Sequence, residues 1–287
     1  MGLSLVIIYA LIAMMGYGIA NAILKIPAKE ISGMKGIFVR NSFVIPILFI
    51  LLLFFSKTQT FSFKFIVITL CIGIIGYLPL FFFFKALHHG KVGVISPIAG
   101  SSVIFTLFFA SVFFHESLTL IKWVAVLCVL IGVVLISVNF RDIKKSDLFS
   151  VSSGIPFALI TCFLWGFMYF IYKYPVTWVG PVLTSLCIEI GVWLSSLVHI
   201  KISKESFSFP KKSIVFYIFV SGLFVVFASV FQNLALSLGQ VSLVSAIIAS
   251  SPIIATLFGR IVYKEKLTIS QYVAIVISIF GLVLLSL

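Results

Sequence analysis

Long apolar runs, separated by short polar gaps, repeat along the whole chain. Each run is close to the roughly 20 residues that an α-helix needs to cross the hydrocarbon core of a bilayer. Ten runs can be marked: 3–24, 34–55, 65–87, 92–113, 119–138, 154–172, 179–199, 213–238, 241–262 and 269–287. Helices are expected because backbone polar groups in lipid must be satisfied within their own segment. A barrel would need strict alternation, and runs such as Phe81 to Phe84 or Val133 to Val138 do not alternate. The expected fold class is therefore an all-α polytopic membrane protein with ten transmembrane helices. Connections such as His88-His89-Gly90-Lys91 and Ser237-Leu238-Gly239-Gln240 leave no room for a soluble domain. Gly90 and Gly239 read as left-handed helix caps. Ala20-Asn21-Ala22 looks like a cleavage site, but the start lacks a basic segment and the run is long enough to span, so it reads as a retained first helix.

The pattern occurs twice. At an offset of 149, residues 84–138 align with 233–287 without a gap and share 19 identities in 55 positions. Shared apolar composition explains Ile, Leu and Val matches. It does not place Gly90/Gly239, Ser101/Ser250, Ser102/Ser251, Glu116/Glu265 and Thr119/Thr268 in one register. The front ends align at offset 148, where Tyr17-Gly18 meets Trp165-Gly166 and Lys25 meets Lys173. Residues 1–140 and 154–287 thus form two five-helix repeats joined by a polar connection at 141–153. An odd number of spans sends the second repeat into the membrane from the opposite side, giving two inverted five-helix repeats. In many secondary transporters built this way, the substrate site lies near the midplane between the halves.

Composition narrows the function classes. The chain is 62% hydrophobic and 9% charged, too few charges to cover a soluble surface of 287 residues. The net charge of +13 is spread over short gaps between apolar runs, the pattern of membrane-surface loops rather than of nucleic-acid binding. Cys71, Cys128, Cys162 and Cys187 fall in four different runs, and the His residues lack metal-ligand spacing, so neither a metal nor another cofactor is implied. A nucleotide-binding P-loop, HExxH and GxSxG are all missing, which argues against an ATPase or an intramembrane enzyme.

Several of these residues resemble a known family. Leu164-Trp165-Gly166, Ser251-Pro252 and Lys264-Glu265-Lys266-Leu267-Thr268 are similar to motifs of the drug/metabolite transporter superfamily, in its EamA-type branch of ten-helix proteins with two repeats. The first half carries Tyr17-Gly18 and His115-Glu116-Ser117-Leu118-Thr119, and Arg40 sits where the family often has an Arg. Tyr17 replaces the usual Trp, and Val103 replaces the Pro that Pro252 represents, with Pro97 lying upstream instead, which weakens the case for equivalent kinks in the two halves. The resemblance implies a carrier of a small molecule, expected in the bacterial inner membrane.

Of the seven acids, Glu189 alone lies deep within a span. A mid-membrane carboxylate is by default a functional-site hypothesis. It suits a cationic group or a coupling proton, or a structural ion pair with Arg40, its repeat equivalent at offset 149; the two readings coexist. Tyr17, Asn21 and Lys25 recur along one helix face, as do Trp165, Tyr169 and Lys173. Tyr17, Asn21, Trp165 and Tyr169 are candidate pathway residues, with cation–π contact as one means of holding a cation. Lys25 and Lys173 read as interfacial anchors. Gln232 and Asn233, beside Ser229, are amides that must face protein or water; interhelical hydrogen bonding is their first reading and substrate contact the second, and with Glu189 and Arg40 they complete the candidate pathway set. Glu116 and Glu265, before Thr119 and Thr268, read as structural; Thr268 with Gln271 forms a capping box. Helices five and ten read as peripheral scaffold.

The functional expectation is a secondary transporter of a small polar or amphiphilic metabolite (an amino acid, an amine or a related compound), working by alternating access and suited to proton coupling through Glu189. The alternative is a flippase for a lipid or lipid-linked sugar. The partners are the bilayer and the small-molecule substrate, and a duplicated chain can enclose a pathway as a monomer. Orientation draws two opposed expectations. Odd-numbered connections hold 13 basic residues and even-numbered ones four, which puts the termini outside by the positive-inside rule. The family resemblance puts them in the cytoplasm.

Overall fold

The computed structural model describes residues 2–90, 92–116, 119–137, 153–204, 210–262, 264 and 268–285. The polar connection at 141–153, apart from Ser153, lies outside them, as do Glu205 and Glu265. Fourteen α-helices and no strand occur among the described residues: α1 (Gly2–Leu24), α2 (Pro27–Glu30), α3 (Gly33–Phe55), α4 (Phe63–His89), α5 (Val92–Gly100), α6 (Val103–Phe113), α7 (Leu120–Ser137), α8 (Ile155–Ile171), α9 (Lys173–Val179), α10 (Pro181–Ile202), α11 (Lys212–Leu238), α12 (Val241–Ile248), α13 (Ser251–Val262) and α14 (Ile269–Leu285). Seven helical stretches are long and apolar enough to cross a membrane, and three shorter apolar helices accompany them. The exterior carries large exposed hydrophobics such as Phe54, Phe63, Leu120, Ile269 and Val276, the surface of a protein solvated by lipid.

The runs at 92–113 and 241–262, expected as single spans, are each broken in the middle. At the breaks the hydrogen bonds shorten from i−4 to i−3 partners: Ser102 N–H donates to the Ala99 carbonyl, and Ser250 N–H to that of Ile247. In the second half the cause is local. Pro252 lacks an N–H, and its ring clashes with the carbonyl four residues back, that of Ile248, where α12 ends. The first half has Val103 there instead, yet it breaks at the equivalent point.

Packing is common to both breaks. Each half's first helix is embedded in the other half: α1 lies along α11 and against α12 and α13, and α8 lies along α4 and against α5 and α6. Gly18 and Gly166 make close approaches at these crossings. A β-carbon on Gly18 would lie 2.5 Å from Ile254 Cβ and 2.6 Å from the Ser251 carbonyl oxygen. One on Gly166 would lie 2.5 Å from Phe105 Cβ and 2.6 Å from the Ser102 carbonyl oxygen. Both glycines therefore seat a helix directly on the partner half's break, at equivalent positions.

Repeat-equivalent helices also pair with each other, and they run antiparallel. Along α3 and α10, Phe38 stacks on Trp193 at 5.4 Å, Asn41 meets Glu189, and Leu48 clusters with Leu183 and Leu186. Along α7 and α14, Gly132 lies against Ser278 and Ala274, and Gly281 against Ala125 and Val129. The α7–α14 pair sits at the edge, with one face broadly exposed.

Two cap expectations are corrected. Gly90 (φ −108°) and Gly239 (φ −130°) are extended, not left-handed. Glycine is needed there for room: a β-carbon would lie 2.4 Å from the Ser153 carbonyl oxygen at Gly90, and 2.5 Å from Val6 at Gly239. Lys173, read as an interfacial anchor, instead donates from Nζ to the carbonyls of Leu236 (2.6 Å) and Gly239 (2.8 Å), closing the C-terminal end of α11.

Candidate functional site

The ion pair at the centre joins the two halves. Arg40 on α3 donates from Nη2 to Glu189 Oε2 on α10 at 3.0 Å, with the two side chains 5% and 11% exposed. Asn41, wholly buried, ties the pair together. It accepts from Arg40 Nε at 2.9 Å and donates to Glu189 Oε2 (2.7 Å) and to the Glu189 carbonyl (2.9 Å). Two buried charges in a low-dielectric region persist only when their remaining hydrogen-bonding capacity is met, and Asn41 meets part of it. Because Arg40 and Glu189 are repeat equivalents on antiparallel helices, their contact marks the pseudo-two-fold relation between the halves.

Beside this pair lies a cavity of about 120 Å³, room for on the order of ten waters. The structure places Tyr17, Asn21, Arg40, Trp165, Tyr169 and Glu189 on its wall together. Both helix breaks contribute as well, through Gly100 and Ser102 on one side and Ile248, Ala249, Ser251 and Pro252 on the other. Trp165 packs on Phe83 with ring centroids 4.7 Å apart, which fixes its ring at the wall. Broken helices at a midpoint between repeats leave backbone groups that only a polar cavity, water or a ligand can satisfy.

Gln232 and Asn233 are placed differently. They line a smaller annex of about 30 Å³ that shares Tyr17, Tyr172, Ile188 and Glu189 with the main chamber. Asn233 Nδ2 reaches across to α10, donating to Ser185 Oγ at 2.8 Å and to the Pro181 carbonyl at 3.3 Å.

Sequence reasoning passed over Asn41, Tyr172 and Met168. Asn41 carried a usable signal, since it is an amide inside an apolar run beside the one Arg of that span. Tyr172 also carried one: it lies three residues after Tyr169, on the face already singled out. Met168 had none, being indistinguishable from packing. Glu116 has a structural partner, but not on its own half. Its carboxylate accepts from Val241 N–H, Ser242 N–H and Ser242 Oγ, capping α12. Thr268 and Gln271 form the reciprocal box: Thr268 N–H donates to Gln271 Oε1 at 2.9 Å, and Gln271 N–H to Thr268 Oγ1 at 3.4 Å.

The comparisons with known proteins follow the duplication. No curated protein matches the chain. A solved structure described only as "Crystal structure of protein" shares its fold, with a TM-score of 0.75 and 16% identity over 96% of this chain and 95% of that one. The model of the EamA-like transporter family matches twice, over residues 4–138 and 152–287. A family model that accounts for nearly the whole of this multi-pass membrane chain, once in each half, shows that it belongs to the EamA-like transporter family, within the drug/metabolite transporter superfamily.

Proposed function

We propose that the protein is a secondary transporter that moves a small polar or amphiphilic solute, such as an amine or an amino acid, through the chamber between two inverted five-helix repeats. In this reading α5 with α6, and α12 with α13, each count as one span, so the ten spans fall into units at 1–140 and 154–287. The observation that carries it is the chamber itself. It lies on the pseudo-two-fold relation, beside an interhalf ion pair, and it is walled by both helix breaks.

The chemistry of the wall supports the substrate class. Trp165, Tyr17, Tyr169 and Tyr172 offer aromatic faces to a cation or a ring, while Glu189 and Asn21 offer acceptors. A volume of about 120 Å³ suits a small solute better than a lipid-linked sugar. Alternating access follows from rocking one half against the other around a fixed centre, with the Arg40–Glu189 pair as the pivot. A solute cation or a proton that engages Glu189 loosens its hold on Arg40 and weakens the pivot, which couples binding to the rocking.

The test is a thermal-shift screen of purified protein against amines, amino acids, nucleosides and sugars, followed by uptake of any hit into proteoliposomes. A native-state ligand raises apparent stability by RT ln(1 + [L]/Kd). The expected result is a small amine or amino acid that shifts the wild type, enters the vesicles, and does neither with Glu189→Gln. Undiminished uptake by a folded Glu189→Gln variant would remove this carboxylate from transport.

A further inference from the structure

The annex beside the chamber holds more oxygen acceptors than the fold requires. Asn233 is fixed in orientation, because its Nδ2 faces the Pro181 carbonyl and a carbonyl only accepts. Its Oδ1 must therefore point away from that contact. Asn233 Oδ1 and Gln232 Oε1 are both buried without a hydrogen-bond partner among the described residues, on side chains 4% and 1% exposed. Ser229 Oγ donates to the Val226 carbonyl at 3.1 Å, which leaves its lone pairs open. Glu189 commits Oε2 to Arg40 and Asn41, and Oε1 takes no part in those bonds. These four oxygens share a cavity of about 30 Å³ with the hydroxyls of Tyr17, Tyr172 and Ser185, the last already donating to the Pro181 carbonyl at 3.2 Å, and with the amide NH2 of Gln232.

The repeat provides an internal control. At offset 149 the counterparts of Ser229, Gln232 and Asn233 are Leu80, Phe83 and Phe84 on α4. Phe83 and Phe84 are each 1% exposed and belong to an apolar core cluster, and Leu80 and Phe83 present apolar surface to the main chamber. The helix pair can therefore close without amides, and the oxygens on α11 are not demanded by the architecture.

We infer that the annex is a binding site for a small monovalent cation, held by oxygens of Glu189, Ser229, Gln232 and Asn233. Neutral oxygen donors around one carboxylate suit a hard cation, and no cluster of His, Cys, Asp and Glu fit for a transition metal occurs among the described residues. The room, about two waters' worth, suits a sodium ion or the primary ammonium head of the transported solute, whose body then lies in the adjoining chamber. The inference rests on the chamber described under the proposed function, but its test reads binding alone.

The test compares the full-length protein in sodium chloride, in ethylammonium chloride and in N-methyl-D-glucamine chloride at equal ionic strength. The expected result is a saturable rise in Tm of a few degrees over the glucamine salt. A rise with sodium assigns an inorganic ion, and a rise with ethylammonium alone assigns the solute's head group. In either case Ser229→Ala and the volume-matched Gln232→Met should reduce it at least threefold. Sodium-23 line broadening by the wild type, reversed by ethylammonium, reports an occupied sodium site without any variant. The inference is overturned if the wild type shows neither a thermal shift nor broadening, or if the shift survives intact in both variants. A solute hit in the metabolite screen without a cation response would remove the annex and leave the transporter; a cation response without a solute hit would do the reverse.

Discussion

At its two wings the chamber closes the same helix crossing with opposite chemistry. On the α4 wing the side chain of Phe84 fills space that β-carbons on Gly33 and Gly36 would occupy, its Cβ 2.8 Å from the first and its ring 2.9 Å from the second. On the α11 wing the equivalent residue is Asn233, and it hydrogen-bonds Ser185, the counterpart of Gly36 at offset 149, and the nearby Pro181 carbonyl. A duplicated fold thus keeps one geometry of closure while its two seals diverge, one dry and the other hydrogen-bonded. The backbone relation is shared, and the side chains decide what each wing can hold.

The comparison can be broken or sharpened by substitution, starting with the element both wings share. Arg40→Ala should lower stability by about 3–5 kcal/mol, because it leaves Glu189 buried without its cation. The double variant Arg40→Met, Glu189→Leu should recover most of that loss in a detergent unfolding series. Equal instability of the double variant would mean that the pair's worth lies in something other than charge balance. On the wings, Phe84→Ala should cost about 3 kcal/mol by removing a packed ring. Asn233→Ala should cost only about 1 kcal/mol, the usual range for an interhelical hydrogen bond in a membrane protein. Similar losses would erase the distinction between a dry and a polar seal.

Where the halves agree, effects should agree. Gly18→Ala and Gly166→Ala each force a helix off the partner's break and should cost about 1–3 kcal/mol, matched to within the error of thermal unfolding. The smallest difference is at the caps. Thr268→Ala, which loses a reciprocal box, should cost about 1 kcal/mol. Thr119→Ala should cost about half of that, since its one cap contact, with Lys122 N–H, is 3.4 Å long.

Much of this was legible in the residues. The apolar runs gave the helices, and the offset of 149 placed Arg40 opposite Glu189 before any geometry was available. The second-half break was legible from Pro252, but the first-half break was not, because Ser101-Ser102 interrupts neither hydropathy nor the helical pattern. Both breaks meet a glycine of the other half, Gly166 or Gly18, a contact that a single strand of sequence does not display. The seals were hidden for a different reason. Identities revealed the repeat, whereas the mismatches Leu80/Ser229, Phe83/Gln232 and Phe84/Asn233 in the same register carry the asymmetry. The glycines at 90 and 239 misled because crowding and a left-handed turn select the same residue.

The central claim is a chamber between inverted halves whose two wings face opposite sides of the membrane. The most direct measurement places single cysteines at Leu80 and at Ser229, in a background with Cys71, Cys128, Cys162 and Cys187 replaced. Each variant is labelled in oriented membranes with an impermeant thiol reagent applied to one side at a time. The account predicts that Leu80→Cys reacts only from the side holding the α4–α5 connection, and Ser229→Cys only from the side holding the α11–α12 connection, these being opposite sides. Labelling of both positions from one and the same side would contradict it.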